Sequence, residues 1–425
     1  MLSTLRNAWR TPDLRKKILW TLFLVAIYRM GNHILVPGVD ASALQSYAAS
    51  GTLLGFYDLI SGGAFSKFNI FALGVVPYIN ASIVVQLLTV AIPYLEQLSK
   101  EGEDGRKKIQ KYTRYAAVAF AILQSFTIYV LIANAGALKS NSRLNIFVIM
   151  LTVTTASIFL MWLGDQISVK GLGNGISLLI FVNILSRIPF TAYQVGVLQK
   201  AEEVNIVGVI MFIALVAALL VAVVVMSLAE RRIPVQYAGK TVGNKTFRGQ
   251  TTHIPINMNA SGVIAIIFAS SVMQFPATIA QFWPNSPVFK AITGSKYSPF
   301  KANTWLYAVV FFLLILFFSW FYTQITFKPD EMSENMHKSS GFIPGIRPGD
   351  YTAKYIEKVL TKVSLLGGAF VAVIAVFPII LEGYTKFKGI SFGGTSLLIV
   401  VGVALDTMRQ MESQLVMRHY QGFLK

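Results

Sequence analysis

From Ile206 to Leu228 the chain reads IVGVIMFIALVAALLVAVVVMSL, with no charged residue, and it is one of ten predominantly apolar stretches. The others are Ile18–Leu35, Ile70–Ile92, Tyr115–Ala137, Ile146–Leu163, Ile176–Val197, Gly262–Phe282, Trp305–Phe327, Val363–Leu381 and Gly394–Leu405. A bilayer core about 30 Å thick takes ~20 apolar residues in a helix. Lipid offers the backbone no hydrogen bonds, so each stretch must close its own by coiling. Composition agrees: only 13% of residues are charged, against about 25% in soluble chains. The expectation is an all-α polytopic membrane protein with ten transmembrane helices.

Orientation follows from Lys and Arg in alternate connections. They number 26 on the side holding both ends of the chain and 9 on the other, with Arg29 and Arg187 inside spans. Both termini are therefore expected in the cytoplasm, and the formal charge of +18 reflects topology before any nucleic-acid partner. Residues 1–17 place Leu2, Leu5, Trp9 and Leu14 among Arg6, Arg10, Arg15, Lys16 and Lys17, the pattern of an amphipathic helix on the membrane surface. The first apolar run lacks a small-residue cleavage site and reads as a retained span.

Ten spans with both ends inside divide as five plus five, 18–200 and 201–425, and an odd number in each half gives inverted repeats. Long basic cytoplasmic segments lie at 93–114, 229–261 and 328–362. Within the second, 230–257 carries Val235, Tyr237, Thr241 and Val242 around a Gly-rich tip, compatible with a short β-hairpin or a mobile coil. Loops of such length are usually functional or disordered, and their charge suits an acidic or polyanionic partner.

Several function classes are disfavoured. None of the 19 acidic residues falls in the middle of a span, whereas ion-coupled carriers usually bury carboxylates there. KGLGNGIS (170–177) follows no strand and lacks the Lys-Ser/Thr of a phosphate loop; it reads as a turn with Asn174 or Gly175 opening the fifth span. There is no cysteine, and four scattered histidines suggest no metal centre. No catalytic residues and no cofactor are expected, and the chain does not read as an enzyme. The second span holds Gly74, Pro77, Asn80 and Ser82. Pro77 is expected to bend it, and Asn80 must find a partner or water. Ordinary small-residue packing and a movable, pore-facing helix both fit. Between the first two spans, Leu53–Lys67 is too short and polar to cross, being broken by Gly55, Asp58, Gly62, Gly63 and Lys67, yet too apolar for water.

FALGVVPYINASIVVQLL (71–88), EGEDGRKKIQKYTRY (101–115), MWLGDQIS (161–168), GLGNGIS (171–177), FIPGIRPGDYTAKYI (342–356) and FGGTSLLIVVGVALD (392–406) closely resemble the SecY family. These are the pore subunits of the bacterial protein-translocation channel, related to the eukaryotic and archaeal Sec61-alpha subunit. The likeness runs in order along essentially the whole chain. It implies two inverted five-helix halves around a central hourglass pore in the bacterial cytoplasmic (inner) membrane. It also implies translocation of unfolded secretory polypeptides and release of membrane segments through a lateral gate. On this resemblance Leu53–Lys67, with Asp58, Ser61, Gly62, Gly63 and Lys67, is the plug. Val75, Ile79, Ile176, Ile180, Ile267 and Ile399 form the pore ring, Val75 standing where the family often has isoleucine.

The resemblance puts a lateral gate between the second and third spans and the seventh and eighth. Gln86, Gln124 and Gln274 are polar residues there, expected to hold the gate or meet the signal sequence, or simply to bond between helices. The loops near 230–257 and 328–358 are the family's surface for the SecA ATPase or the ribosome, with Arg347 in PGIRPG foremost and Arg231, Arg232, Lys240 and Arg248 in support. SecE and SecG are the implied companion subunits. A secondary transporter and a non-conducting insertase or scaffold remain the alternatives.

Overall fold

The computed structural model describes residues 2–40, 68–134, 136–140, 142–200, 205–237, 240–242, 245–247, 251–259, 261–280, 298–300, 304–384 and 394–422. Its first half contains α1 (Leu2–Arg10), α2 (Pro12–Gly31), α3 (Val76–Ala91), α4 (Pro93–Lys100), α5 (Glu103–Asn134), α6 (Arg143–Lys170) and α7 (Gly175–Lys200). The second contains α8 (Ile206–Leu228), α9 (Ile264–Ala280), α10 (Trp305–Phe327), α11 (Pro329–Lys338), α12 (Asp350–Tyr384) and α13 (Gly394–Gly422). Each of the ten apolar stretches coincides with one of these helices. Among the described residues six helices are long and apolar enough to cross a membrane, and α3 with α4 gives a seventh if a bent pair counts as one. The fold class is all-α, with two small sheets, of three and two strands, on the connections among the described residues.

Helix boundaries follow local chemistry. Asn174 Oδ1 accepts hydrogen bonds from the Ile176 and Ser177 amides at 3.1 and 3.2 Å, capping α7 as a short polar side chain at that position should. The expected 1–17 helix is divided: α1 stops at Arg10, and Pro12 opens α2. Proline suits a first turn, where its missing N–H has no intrahelical partner to lose. The same reasoning corrects the reading of Pro77. The second span becomes helical only at Val76, so Pro77 sits in the first turn and bends nothing. Residues 68–75 form turns instead, with Gly74 at φ 56°. The sharp bend lies at the other end, where α3 and α4 meet at 99° just before Pro93.

Connections expected as loops are largely helical. α5 starts at Glu103, a dozen residues before its apolar part, α12 starts at Asp350, and α13 runs on to Gly422. The hairpin of the second cytoplasmic segment is formed: β1 (Glu230–Tyr237) pairs antiparallel with β4 (Thr251–Asn257), Ile233 opposite Ile254. Its tip carries β2 (Lys240–Val242) against β3 (Lys245–Phe247). The third segment adds β5 (Gly341–Phe342) to the free edge of β1, giving the order β4-β1-β5. Along β1 the side chains alternate, burying Ile233 and Val235. They pack with Ile256, Met336, Ile343, Ile356, Leu360 and Val363. The two long segments, expected on the cytoplasmic side, are thus one unit seated on the start of α12.

Candidate functional site

The two halves meet along α3. At 100° per residue, Tyr78 and Ala81 share one face of it, and they pack against Ala117 of α5 and Met161 of α6. Asn80, Ile83 and Leu87 lie roughly 160° around the helix. Ile83 and Leu87 pack on the core of the second half, which is built from α8, α9, α10, α12 and α13. Asn80 Oδ1 accepts a hydrogen bond from Ser271 Oγ of α9 at 3.1 Å. Between these faces is a third stripe holding Val75, just before the helix, and Ile79.

That stripe enters a cluster drawn from both halves. Val75, Ile180 and Ile399 are buried in it, and Ile79 and Ile176 pack against it half-buried. Val400, Val403 and Val263 join from the second half. Five of the six residues of the expected ring therefore belong to one hydrophobic cluster, which also holds Tyr28 and Phe71. The sixth, Ile267, is half-buried and lies outside that cluster, on a stripe of α9 shared with Ser271 and Gln274. Close backbone approach makes the cluster compact. A Cβ on Gly402 would lie 2.8 Å from Val263, and one on Gly175 only 2.0 Å from the Gly164 carbonyl oxygen.

The three glutamines have different settings. Gln86 is half-buried on the stripe of Val75 and Ile79. Gln124 is buried in α5 with Oε1 lacking a hydrogen-bond partner, and Gln274 is buried in α9. Along this face of α3 the polar contact to α9 is Asn80–Ser271, and elsewhere the halves are also joined by Lys17 Nζ donating to Gln414 Oε1 at 3.1 Å. Sequence reasoning singled out Asn80 but missed Ser271, whose one signal is its spacing of four from Ile267 and three from Gln274. It also attached no role to Arg114 and Asp165, which form an ion pair at 2.8 Å between α5 and α6. A further polar contact ties the first half together: Tyr28 donates to Asn183 Oδ1 at 2.7 Å. Nearby, Asn69 Nδ2 donates to the Asn32 carbonyl.

The expected plug residues Asp58, Ser61, Gly62, Gly63 and Lys67 lie outside the described residues, as does Arg248. On the cytoplasmic unit Arg347 is exposed at a turn tip, between Gly345 at φ 82° and Gly349 at φ 97°. Such backbone angles suit glycine. Thr352 Oγ1 donates to the Arg347 carbonyl at 3.0 Å, and Ser333 Oγ to that of Gly349 at 2.8 Å, so the tip is fastened at its base. Arg231 and Arg232 are exposed on β1, and Arg232 Nε is paired with Glu230 at 2.6 Å. Lys240 begins β2. Beyond the bend of α3, the Lys100 ammonium hydrogen-bonds Glu96 at 2.8 Å and holds its carboxyl below the usual carboxylate range.

Comparison with known proteins agrees on one family. The family model described as SecY matches residues 69–408. A protein translocase subunit SecY of Streptomyces galbus is 42% identical over 446 aligned positions, covering all of both chains. A solved SecY channel, studied for how its plug domain stabilises the closed state and maintains a membrane seal, superposes with a TM-score of 0.66. The identity is 18%, over 95% of this chain and 92% of that one. The Sec61 of a canine ribosome–channel complex from the endoplasmic reticulum superposes at 0.62, with 18% identity over 95% and 93%.

Proposed function

The chain belongs to the SecY family, and from that membership together with the seam along α3 we infer that it is the pore-forming subunit of a protein-conducting channel. The observation that carries this reading is the shared cluster of Val75, Ile79, Ile176, Ile180 and Ile399, drawn from both halves. An apolar constriction resists wetting and so blocks ions. Branched aliphatic side chains can swing aside for a passing polypeptide and close behind it, without polar groups to hold it. Ile267, brought forward from α9, completes the ring when the chain is engaged.

The face of α3 bearing Asn80, Ile83 and Leu87 is then the lateral gate on the side of the first half, and Ser271 and Gln274 of α9 answer it from the second. Opening the gate breaks the Asn80–Ser271 hydrogen bond and exposes Ile83 and Leu87, to be covered by the apolar segment that leaves. Gln86 and Gln124 serve the same passage from α3 and α5. Leu53–Lys67 is the plug in this reading. Arg347 on its fastened tip, with Arg231, Arg232, Lys240 and Arg248, meets the polyanionic ribosome or the SecA motor on the cytoplasmic side, where the charge bias puts both termini. α8 buries little beyond Val223, which suits companion helices such as those of SecE and SecG, or lipid. The chain itself performs no catalysis, and energy comes from its partners. A carrier reading lacks a buried carboxylate at span centre, and an insertase without a pore is the rival that an experiment must exclude.

Ion conductance of planar bilayers holding the intact protein, compared with one lacking Leu53–Lys67, makes that test. A tight seal in the first and large or flickering currents in the second are expected. Silence in both, even with an arrested translocating polypeptide and SecA present, would replace the channel by a scaffold.

A further inference from the structure

The Arg114–Asp165 pair lies on neither the constriction nor the cytoplasmic surface unit, yet it stands behind both helices that give the first half its ring residues. Arg114 Nη2 meets Asp165 Oδ2 at 2.8 Å, with the Arg114 side chain 44% exposed and that of Asp165 16%. One turn along each helix, Ala117 and Met161 close on Ala81 of α3, with Tyr78 against the same cluster. Tyr78 is the neighbour of Ile79 in the chain, turned away from the ring. On its other side Asp165 adjoins Gly164. There the end of α6 is pressed on the start of α7: a Cβ on Gly164 would sit 2.8 Å from Ile176 Cγ1, and one on Gly175 2.0 Å from the Gly164 carbonyl oxygen. With no side chain between them, a shift of α6 is passed directly to Ile176.

We propose that the Arg114–Asp165 ion pair is a brace that sets the width of the apolar constriction, with Arg114 and Asp165 as positioning residues. Drawn together, the pair pulls α5 onto α6. α5 and α6 support α3 through Tyr78 and Ala81, holding Val75 and Ile79 inward. α6 supports α7 through Gly164, holding Ile176 and Ile180. Losing Arg114 leaves the half-buried Asp165 carboxylate without its ion-pair partner, and losing the Asp165 charge removes the attraction that draws α5 onto α6, so neutralising either residue loosens the support. This inference rests on the channel reading for its meaning, though not for its test.

The test uses the full chain in its native membrane with its associated subunits. The variants are Asp165→Asn, Arg114→Gln, Arg114→Lys and the reversed pair Arg114→Asp with Asp165→Arg. Because the chain has no cysteine, Ile180→Cys placed in every background supplies one reporter thiol, whose rate of modification by a small maleimide reads access to the constriction. Resting ion leak and thermal stability are measured beside it. Each neutralising variant is expected to raise thiol modification and leak roughly three- to tenfold, the range over which a half-buried pair shifts a two-state equilibrium. Arg114→Lys and the reversed pair should return both to within about twofold. Neutralising variants that lower thermal stability while leaving thiol access unchanged would reduce the pair to a staple between α5 and α6. A reversed pair as accessible as the single variants would show that its members act separately, and either result overturns the proposal. A protein that passes no ions even with an arrested polypeptide refutes the channel reading alone, since thiol access still decides the brace.

Discussion

Asn80 and Ser271 are a modest pair with a large lever. Their hydrogen bond contributes about 1 kcal/mol net, whereas an orphaned partner costs about 1–3 kcal/mol. Ser271→Ala leaves Asn80 without a donor along the seam and should favour the open gate about five- to tenfold. Asn80→Leu with Ser271→Val replaces both partners by apolar groups and should restore a closed gate. Insertion rates of a weakly hydrophobic signal sequence in the two variants check this, the first faster than the natural chain and the second no faster. At this scale much was legible. Motif resemblance proposed ring residues of which five share one cluster, and a polar Asn80 in an apolar run announced a need for a partner. Ser271 was not legible, because a serine in a span looks the same whether it bonds its own helix, as Ser270 does to the Ile266 carbonyl, or reaches across a seam. Arg114 and Asp165 lie about fifty residues apart, and no local pattern joins them.

Among elements, the small sheet shows what pattern reading can reach. Val235, Tyr237, Thr241 and Val242 around a Gly-rich tip suited a hairpin and a mobile coil alike, and the structure forms the hairpin. β5 is two residues, Gly341 and Phe342, too short to carry any period, and its pairing is a tertiary fact. Pro77 was misjudged for a related reason: a proline bends a helix only if helix precedes it, and hydropathy cannot tell helix from the turns at 68–75. The long polar starts of α5 and α12 escaped likewise, since a span was read only as far as its apolar residues. Ile233 anchors the sheet from β1, fully buried against Ile256 and Ile356. Ile233→Ala should cost about 2–4 kcal/mol of local stability, confined to this unit. Limited proteolysis should then cut the cytoplasmic unit several-fold faster while leaving the spans intact, and an unchanged rate would mean that the unit's core does not depend on β1.

For the whole molecule, one hydrophobic cluster draws residues from both halves. On the proposed channel reading it is a packed core as long as the halves stay together and a lining once they part, so its residues must be apolar for two unrelated reasons. Ile399→Asn separates the reasons. A polar side chain buried there without partners weakens packing by about 1–3 kcal/mol and also invites water into the constriction. Resting ion leak should rise at least about tenfold, well before translocation of a normal signal-bearing polypeptide falls. A leak no greater than that of the natural chain would move the barrier elsewhere. The ten spans, five to a half, followed from length and charge alone. How closely the halves interlock did not, because period and hydropathy report which face is apolar but never what it meets.

The strand order β4-β1-β5 also has a consequence in time. β1 and β4 can pair as soon as the hairpin leaves the ribosome, but the strand that covers the other edge of β1 is made about a hundred residues later. At ~5–20 residues per second that edge stays open for roughly 5–20 seconds, while α9 and α10 are still being threaded into the bilayer. An uncovered edge is a template for any passing strand. The three exposed residues that begin β1, Glu230, Arg231 and Arg232, carry charges that discourage such pairing. Because β5 covers only Gln236 and Tyr237 of that edge, these charges guard the rest of it in the finished chain as well.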